Sequence, residues 1–410
     1  MIKQFTLTSL LFLTIPIILS GQTRYLDSLF ISTVSQSDAV YGQAPALSFP
    51  YLFETSTYNQ DLLMDVYTPQ GDVQTDRPCI VFAHGGAFAL GSKTDVPVVQ
   101  FCEQMANKGY VVVSIEYRLG FNLTNTASAE RAVYRGIQDM KTAIRYVKEN
   151  AVSLGIDSSK VFAGGNSAGG VMALNAAYLD ESERMTLSSL SSTPDLGCLN
   201  CSGNTLTHGD VPLAIANLWG GISDISFINA NNPVPIIAFH GTNDNTVSPD
   251  SAHPFNYNVF PTLEGSNIII NKVTSLGFTN DYHKFYGEGH EPWGASGGTP
   301  QLDTIVNKTA QFFYQFLTPS VSTNQIKKSL SFEAFPNPVL DQLTVRFPNN
   351  DNNNYSILIT NALGQVVFNQ QYSNHFSNTF TIPFQELPKG WYNISIDNEG
   401  VRASKTIIKL

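Results

Sequence analysis

Gly165-Asn166-Ser167-Ala168-Gly169-Gly170 begins one residue after the apolar run Val161-Phe162-Ala163. A Gly-x-Ser-x-Gly stretch between a buried strand and a helix forms a turn so tight that only glycine tolerates the crowding on either side of the serine. The turn lifts the Ser167 hydroxyl clear of the backbone and aims it at a helix N-terminus, where free N–H groups favour negative charge. Ser167 is therefore the candidate nucleophile.

A second Gly-rich turn, His84-Gly85-Gly86-Ala87-Phe88, follows the apolar run Cys79-Ile80-Val81-Phe82-Ala83. Such a run reads as a strand buried in a parallel sheet. The bare backbone of Gly85 and Gly86 would let their N–H groups approach a ligand and, with the N–H of Ala168, meet a developing oxyanion. A serine hydroxyl also needs a base, and the base needs an orienting acid. Asp244 lies just after the run Pro235-Ile236-Ile237-Ala238-Phe239, and His290 follows Tyr282-His283-Lys284-Phe285-Tyr286 in a Gly-rich loop. Both fall at the carboxyl ends of predicted strands, where open sheets place their ligands. Among rivals, Asp250 is the nearest competitor for the acid, and His208, His253, His283 and His375 lack the loop setting of His290. His240 reads as a strand-end structural residue, His84 as a loop organiser, and Glu288 and Glu291 as solvated loop charges.

Together these motifs, in the order Ser, Asp, His, resemble the carboxylesterase and lipase branch of the α/β-hydrolase superfamily. Leu63-Met64-Asp65-Val66-Tyr67-Thr68-Pro69, Glu116-Tyr117-Arg118-Leu119 and the lead-in Gly155 to Val161 are similar to that branch as well. The resemblance covers residues 50 to 317 and implies serine ester hydrolysis through Ser167, His290 and Asp244. A serine exopeptidase of the prolyl-oligopeptidase type shares the fold and the triad order, and a catalytically silent surface adhesin is the reading from a different class. Fold alone does not choose a substrate; feruloyl or other aryl, acetyl, lipid and polymer-derived esters all stay open.

Helical spacing of Val98, Phe101, Cys102 and Met105, of Ile137, Met140, Ile144 and Val147, and of Phe312, Phe313 and Phe316 marks three core-facing helices. Strands alternating with helices predict a mainly parallel sheet flanked by helices. Phe88, Phe121, Trp219 and Trp293 lie beside the expected active loops, either as an aromatic wall for an acyl or aryl group or as ordinary core. Residues 180–213 show little periodicity and are the candidate cap insertion. Within them Cys198-Leu199-Asn200-Cys201 is expected to close a small disulfide, a zinc half-site or redox pair being the competing readings.

With 33 acidic against 23 basic residues, the net charge of −10 disfavours nucleic acid and anionic membrane surfaces. No Walker loop, dinucleotide fingerprint or His-rich cluster occurs, so neither cofactor nor metal is expected. Residues 1–21 combine Lys3, an apolar run from Phe5 and small residues at Ser20-Gly21, as a secretory signal peptide does. No other apolar stretch is long enough to span a bilayer, so the mature chain is expected to carry no transmembrane segment. The catalytic domain is thus expected over 22–317.

A polar linker over 318–332 precedes a run of about seven short strand patterns over 333–410, which fits a small all-β immunoglobulin-like sandwich. Phe335-Pro336-Asn337-Pro338, Asn361-Ala362-Leu363-Gly364-Gln365 and Gly390-Trp391-Tyr392 resemble the C-terminal sorting domain of the type IX secretion system of Bacteroidota. That resemblance implies the type IX machinery as a partner and export across both membranes, to release or to the cell surface. A carbohydrate- or substrate-binding sandwich is the alternative.

Overall fold

A computed structural model describes residues 22–186, 194–317, 332–346, 353–361, 365–375, 379–398 and 401–410. The expected signal peptide and all of the expected linker but Phe332 lie outside them. The chain divides into two units with the boundary between Thr318 and Pro319.

The first unit is built on an eight-stranded sheet. Its strands in chain order are β1 (Ser32–Leu47), β2 (Thr57–Pro69), β3 (Arg77–Ala83), β4 (Val111–Ile115), β5 (Ile156–Asn166), β6 (Ile215–Leu218), β7 (Ile236–Gly241) and β10 (Asn280–Phe285). A two-stranded ribbon, β8 (Ser251–Ala252) with β9 (Leu263–Glu264), stands apart from the sheet. The order across the sheet is β1-β2-β4-β3-β5-β6-β7-β10. From β4 to β10 every neighbour is parallel, while β1 and β2 add an antiparallel edge. The central strands are apolar throughout: Cys79 to Ala83 and Val111 to Val113 are fully buried, as strands covered on both faces must be.

Helices α2 (Thr126–Glu149), α4 (Ala168–Tyr178) and α5 (Ser266–Ser275) pack on one face, and α1 (Val96–Asn107) and α6 (Pro300–Tyr314) on the other. The single turn α3 (Ala151–Leu154) leads into β5. The three predicted helical stripes fall on α1, α2 and α6, except that Phe316 lies in the turn just past the end of α6. Thr299 caps α6 by accepting from the N–H of Leu302 at 3.2 Å, and Asn125 caps α2 through Ser128.

Helix α2 buries charge as well as apolar surface. Arg118 closes on Asp139 at 2.7 Å with side chains 3% and 0% exposed, and Asp139 also accepts from the Arg118 backbone N–H. Arg131 and Arg135 share Glu54, and Lys141 and Arg145 share Asp210. Each pair ties a loop to the helix. The described part of 180–213 is held the same way: Tyr134 donates to the Gly197 carbonyl, Gln138 to that of Cys198 and Thr142 to that of Ser202. Within that segment Cys198 and Cys201 are joined by a disulfide. Cys79 and Cys102 are buried free thiols, and burial pushes that of Cys79 up to about 12.

At the elbow β5 runs straight into α4 through Ser167, whose φ of 54° and ψ of −114° are rare for a residue with a side chain. A Cβ at Gly169 would drive into the Ala83 carbonyl, so α4 could not come this close to β3 with any other residue there.

The second unit pairs β11 (Glu333–Phe335), β12 (Gln342–Arg346) and β15 (Thr379–Pro383) in one antiparallel sheet. β13 (Asn353–Asn361), β14 (Val366–His375), β16 (Gly390–Asn398) and β17 (Val401–Lys409) form the other. Leu343 and Val345, Ile357 and Ile359, Phe380 and Ile382, and Ile394 and Ile396 all point into one core, the period-two pattern of strands with one buried face. This is the small β sandwich read from the sequence.

Removing Arg118 leaves the Asp139 carboxylate buried without its partner. Arg118→Ala should lower the unfolding free energy by about 3–5 kcal/mol, read as a shift of the urea midpoint at unchanged slope. A loss below roughly 1 kcal/mol, the scale of an exposed pair, would show that this contact does not anchor α2.

Candidate active site

Parallel pairing of β3 with β5 sets the first half of the site. Ala83 pairs with Gly165, so the chain leaves both strands at the same level and in neighbouring positions. Strand order reverses at this pair: β3 connects onward to β4 on one side, and β5 connects to β6 on the other. Such a reversal opens a crevice at the carboxyl ends of the strands. Gly85 stands so near the elbow that a Cβ there would meet Ser167 Cβ at 3.3 Å and Asn166 Nδ2 at 2.7 Å.

The second half comes from β7 and β10, which pair Gly241 with Phe285 and so send their loops out side by side. The N–H of Asn243 donates to the Glu288 carbonyl at 2.9 Å, stitching the two loops together. This brings three distant residues into line. His290 Nδ1 lies 2.7 Å from Asp244 Oδ2, and His290 Nε2 lies 2.9 Å from Ser167 Oγ. With a carboxylate facing Nδ1, the ring carries its proton there, leaving the Nε2 lone pair for the serine hydroxyl.

Asp244 is fully occupied. Its Oδ1 accepts from the N–H groups of Thr246 at 2.8 Å and Val247 at 2.9 Å, while Oδ2 faces His290 and, at 3.4 Å, His240 Nε2. Burial alone would raise this carboxyl, but His240 and His290 outweigh it and hold it well below the usual carboxylate range. His240 is itself fully buried, bridging Ser266 and the Val247 carbonyl. Asp250 is exposed and accepts from Asn267 instead.

His84 and Tyr117 organise the first Gly-rich turn. The Gly85 carbonyl accepts from His84 Nδ1 at 2.6 Å and from the Tyr117 hydroxyl at 3.2 Å. A trans peptide points its N–H opposite to its C=O, so this arrangement turns the Gly86 N–H away from that buried pair. Ala168 opens α4, where an N–H has no partner within the helix. Glu116 stands 3.4 Å behind His84; burial opposes its charge, but the nearby ring and the Lys93 N–H more than offset that and keep its carboxyl low.

Glu291 is more than the solvated charge expected. Its carboxylate accepts from Asn166 Nδ2 at 3.0 Å, joining the residue after His290 to the residue before Ser167. Its φ of 56° shows the backbone bent into the left-handed region to make that reach.

An opening of about 500 Å³ adjoins Ser167, with Ala87, Phe88, Phe121, Ala168, Val171 and Val247 among its walls. Phe255 and Phe260 close it from the loop between β8 and β9, and Phe260 packs edge-on against Phe121 with ring centroids 5.7 Å apart. Phe88 and Phe121 thus stand where an aromatic wall was expected. Trp219 and Trp293 do not: both are fully buried and pack on each other at 5.0 Å, within the core on the α1 and α6 face. Trp219 instead backs the His290 ring, 6.4 Å away. None of the described residues of 180–213 lines this opening, and the carbonyls of Gly197, Cys198 and Ser202 are taken up along α2.

Residues 64–196 match the BD-FAE family model, and residues 333–410 match the secretion system C-terminal sorting domain. The first unit is thus similar to the α/β hydrolases in its sheet and in its BD-FAE match. Over 120 residues the chain is 35% identical to Carboxylesterase NlhH of Mycobacterium tuberculosis, covering 29% of this chain and 34% of that one. Over 152 residues it is 33% identical to Neuroligin-like protein glit-1 of Caenorhabditis elegans, covering 36% of this chain and 20% of that one. The chain thus spans a fifth to a third of the length of these relatives. Among solved structures, Thermogutta terrifontis esterase 2 phosphonylated by cyclosarin aligns with a TM-score of 0.47 at 21% identity, over 69% of this chain and 96% of that one. The sorting-domain match marks this chain as a secreted or surface protein, and among the described residues no helix is long and apolar enough to cross a membrane.

The Asp244 carboxyl titrates lower in the folded chain than in the unfolded one, where aspartate lies near roughly 3.9. Its ionisation therefore stabilises the fold fully above that value and less and less as pH falls below it toward the folded value. The difference in melting temperature between wild type and Asp244→Asn should stay constant from about pH 7 to 5 and narrow below about pH 4. A difference that widens in acid would contradict the depressed carboxyl.

Proposed function

We propose that this chain is an exported serine carboxylic-ester hydrolase that works through an acyl-enzyme on Ser167. The observation that carries the reading is the unbroken line from Asp244 through His290 to Ser167, at 2.7 and 2.9 Å. Ser167 Oγ attacks the ester carbonyl as His290 Nε2 takes its proton, and Asp244 holds the ring in the tautomer that can accept it. The N–H groups of Ala168 and of Gly85 or Gly86 receive the oxyanion, Gly86 being favoured by the way the Gly85 carbonyl is held. His290 returns the proton to the departing alkoxide, and water then repeats the sequence on the acyl-enzyme.

The apolar opening takes the acyl group. Ser167 and Ala168 line it but His290 does not, whereas the leaving alcohol must sit against His290 Nε2 to collect its proton. Phe88, Phe121, Val171 and Val247 offer no charge to a substrate, which favours uncharged aliphatic or aryl acyl groups, feruloyl and other polymer-derived esters included. Residues 333–410 direct the enzyme to the type IX secretion machinery.

Ser167→Ala should lower kcat on p-nitrophenyl esters by on the order of 10⁴–10⁶-fold and abolish labelling by a fluorophosphonate probe. Asp244→Asn should cost on the order of 10⁴-fold through the wrong tautomer. Near-normal turnover in either variant would remove that residue from the mechanism. A hydrogen bond to a charged group contributes roughly 1.5–3 kcal/mol, and the bond from Asn166 to Glu291 steadies His290 against the elbow. Glu291→Ala should therefore reduce kcat about tenfold with KM little changed; a change confined to KM would assign Glu291 to substrate contact instead.

A further inference from the structure

The opening beside Ser167 is also lined by Val133, Val171, Pro261 and Leu263. The same four residues line a second opening of about 450 Å³, which continues to Tyr134, Ile137 and Asn175. Side chains that border both openings stand between them. They come from three places: Val133 from α2, Val171 from the first turn of α4, and Pro261 and Leu263 from the ribbon, the first just before β9 and the second within it.

We propose that these four side chains form a partition that ends the acyl site and restricts this enzyme to short or compact acyl groups, leaving the opening behind them unused. The proposal rests on the reading of Ser167 as nucleophile and of the adjoining opening as the acyl site. Composition makes the partition stiff. A valine on a helix has essentially one side-chain rotamer, so neither Val133 nor Val171 can swing aside. Proline has no rotamer to change, and Leu263 is 9% exposed and fixed by the pairing of β9 with β8. A wall of side chains that cannot change rotamer yields little to an incoming methyl group. While there is space, each further buried methylene should raise kcat/KM roughly fourfold. Once the chain tip meets the partition that gain should stop and reverse.

The test is a series of p-nitrophenyl esters from acetate to dodecanoate, with competent Ser167 counted by fluorophosphonate titration. Wild type should show a sharp break in kcat/KM within the series. Val133→Ala and Leu263→Ala should move the break to longer chains, and Val133→Phe, the opposite change, should move it to shorter ones. Hydrolysis of dodecanoate as fast as butyrate by wild type would overturn the proposal, because the two openings would already communicate. An unmoved break in variants that titrate fully would overturn it equally, even if an alanine variant folds poorly and only Val133→Phe can be measured. Absence of both hydrolysis and labelling in wild type would instead strike at Ser167 as nucleophile and take the partition with it.

Discussion

The pairing of β3 with β5 is the constraint from which the site follows. Because Ala83 sits opposite Gly165, the Gly85-Gly86 turn and the Ser167 elbow emerge level with each other at the point where strand order reverses. A single-residue slip would turn every side chain of β5 to the opposite face. The registry is protected by glycine: with Gly169 facing the Ala83 carbonyl, α4 reaches a separation that any side chain would prevent. The other pairing, β7 with β10, does the same for Asp244 and His290 through Gly241 and Phe285. Two pairs of parallel strands thus place four loops, and the chemistry is carried by what those loops hold.

The loops are held more firmly than their composition suggests. Asp244 takes two backbone N–H groups and two imidazoles, so its charge is stabilised within the fold itself. The Gly85 carbonyl is pinned by His84 and Tyr117, which fixes the direction of the following N–H. Asn166 and Glu291 bridge the elbow and the histidine loop directly. Strain accompanies this order: Ser167, Ala87, Phe88, Trp219 and Glu291 all carry positive φ without being glycine. Backbone in that region costs on the order of 1–3 kcal/mol per residue, and it persists here because the pairing and packing around it leave no alternative.

Helix α2 supplies a different kind of support. A helix this rich in arginine and lysine would normally turn one face to water. Here five of its charges are buried, Arg131 and Arg135 sharing Glu54, Lys141 and Arg145 sharing Asp210, and Asp139 taking Arg118, so the helix works as a spine for the loops that supply the partners. The Cys198–Cys201 loop lies along this spine, away from the opening beside Ser167. That opening is closed instead by the segment between β8 and β9, whose Phe255 and Phe260 are contributed by the loop that follows Asp244.

Much of this was legible in the residues themselves. Local chemistry determined the elbow, the Gly-rich turn, the apolar strands, the helical stripes and the alternating tail, because each depends on neighbours a few positions away. The β1 edge was not legible: its polar run from Ser32 to Gln43 carries no apolar pattern, and it is a strand only because its backbone pairs with β2. The sequence left Trp219 and Trp293 open between wall and core for a related reason, since nearness to a loop along the chain does not say which side of the sheet an indole faces; the fold places both in the core. Glu291 reads as surface charge in its loop because its partner Asn166 lies 125 residues away in sequence. Composition and spacing alone settled what each segment becomes and which side chains have the right chemistry. Tertiary structure alone decided which of them meet, because the contacts that matter join strands and loops whose proximity is set by sheet order and register, quantities that no local stretch contains.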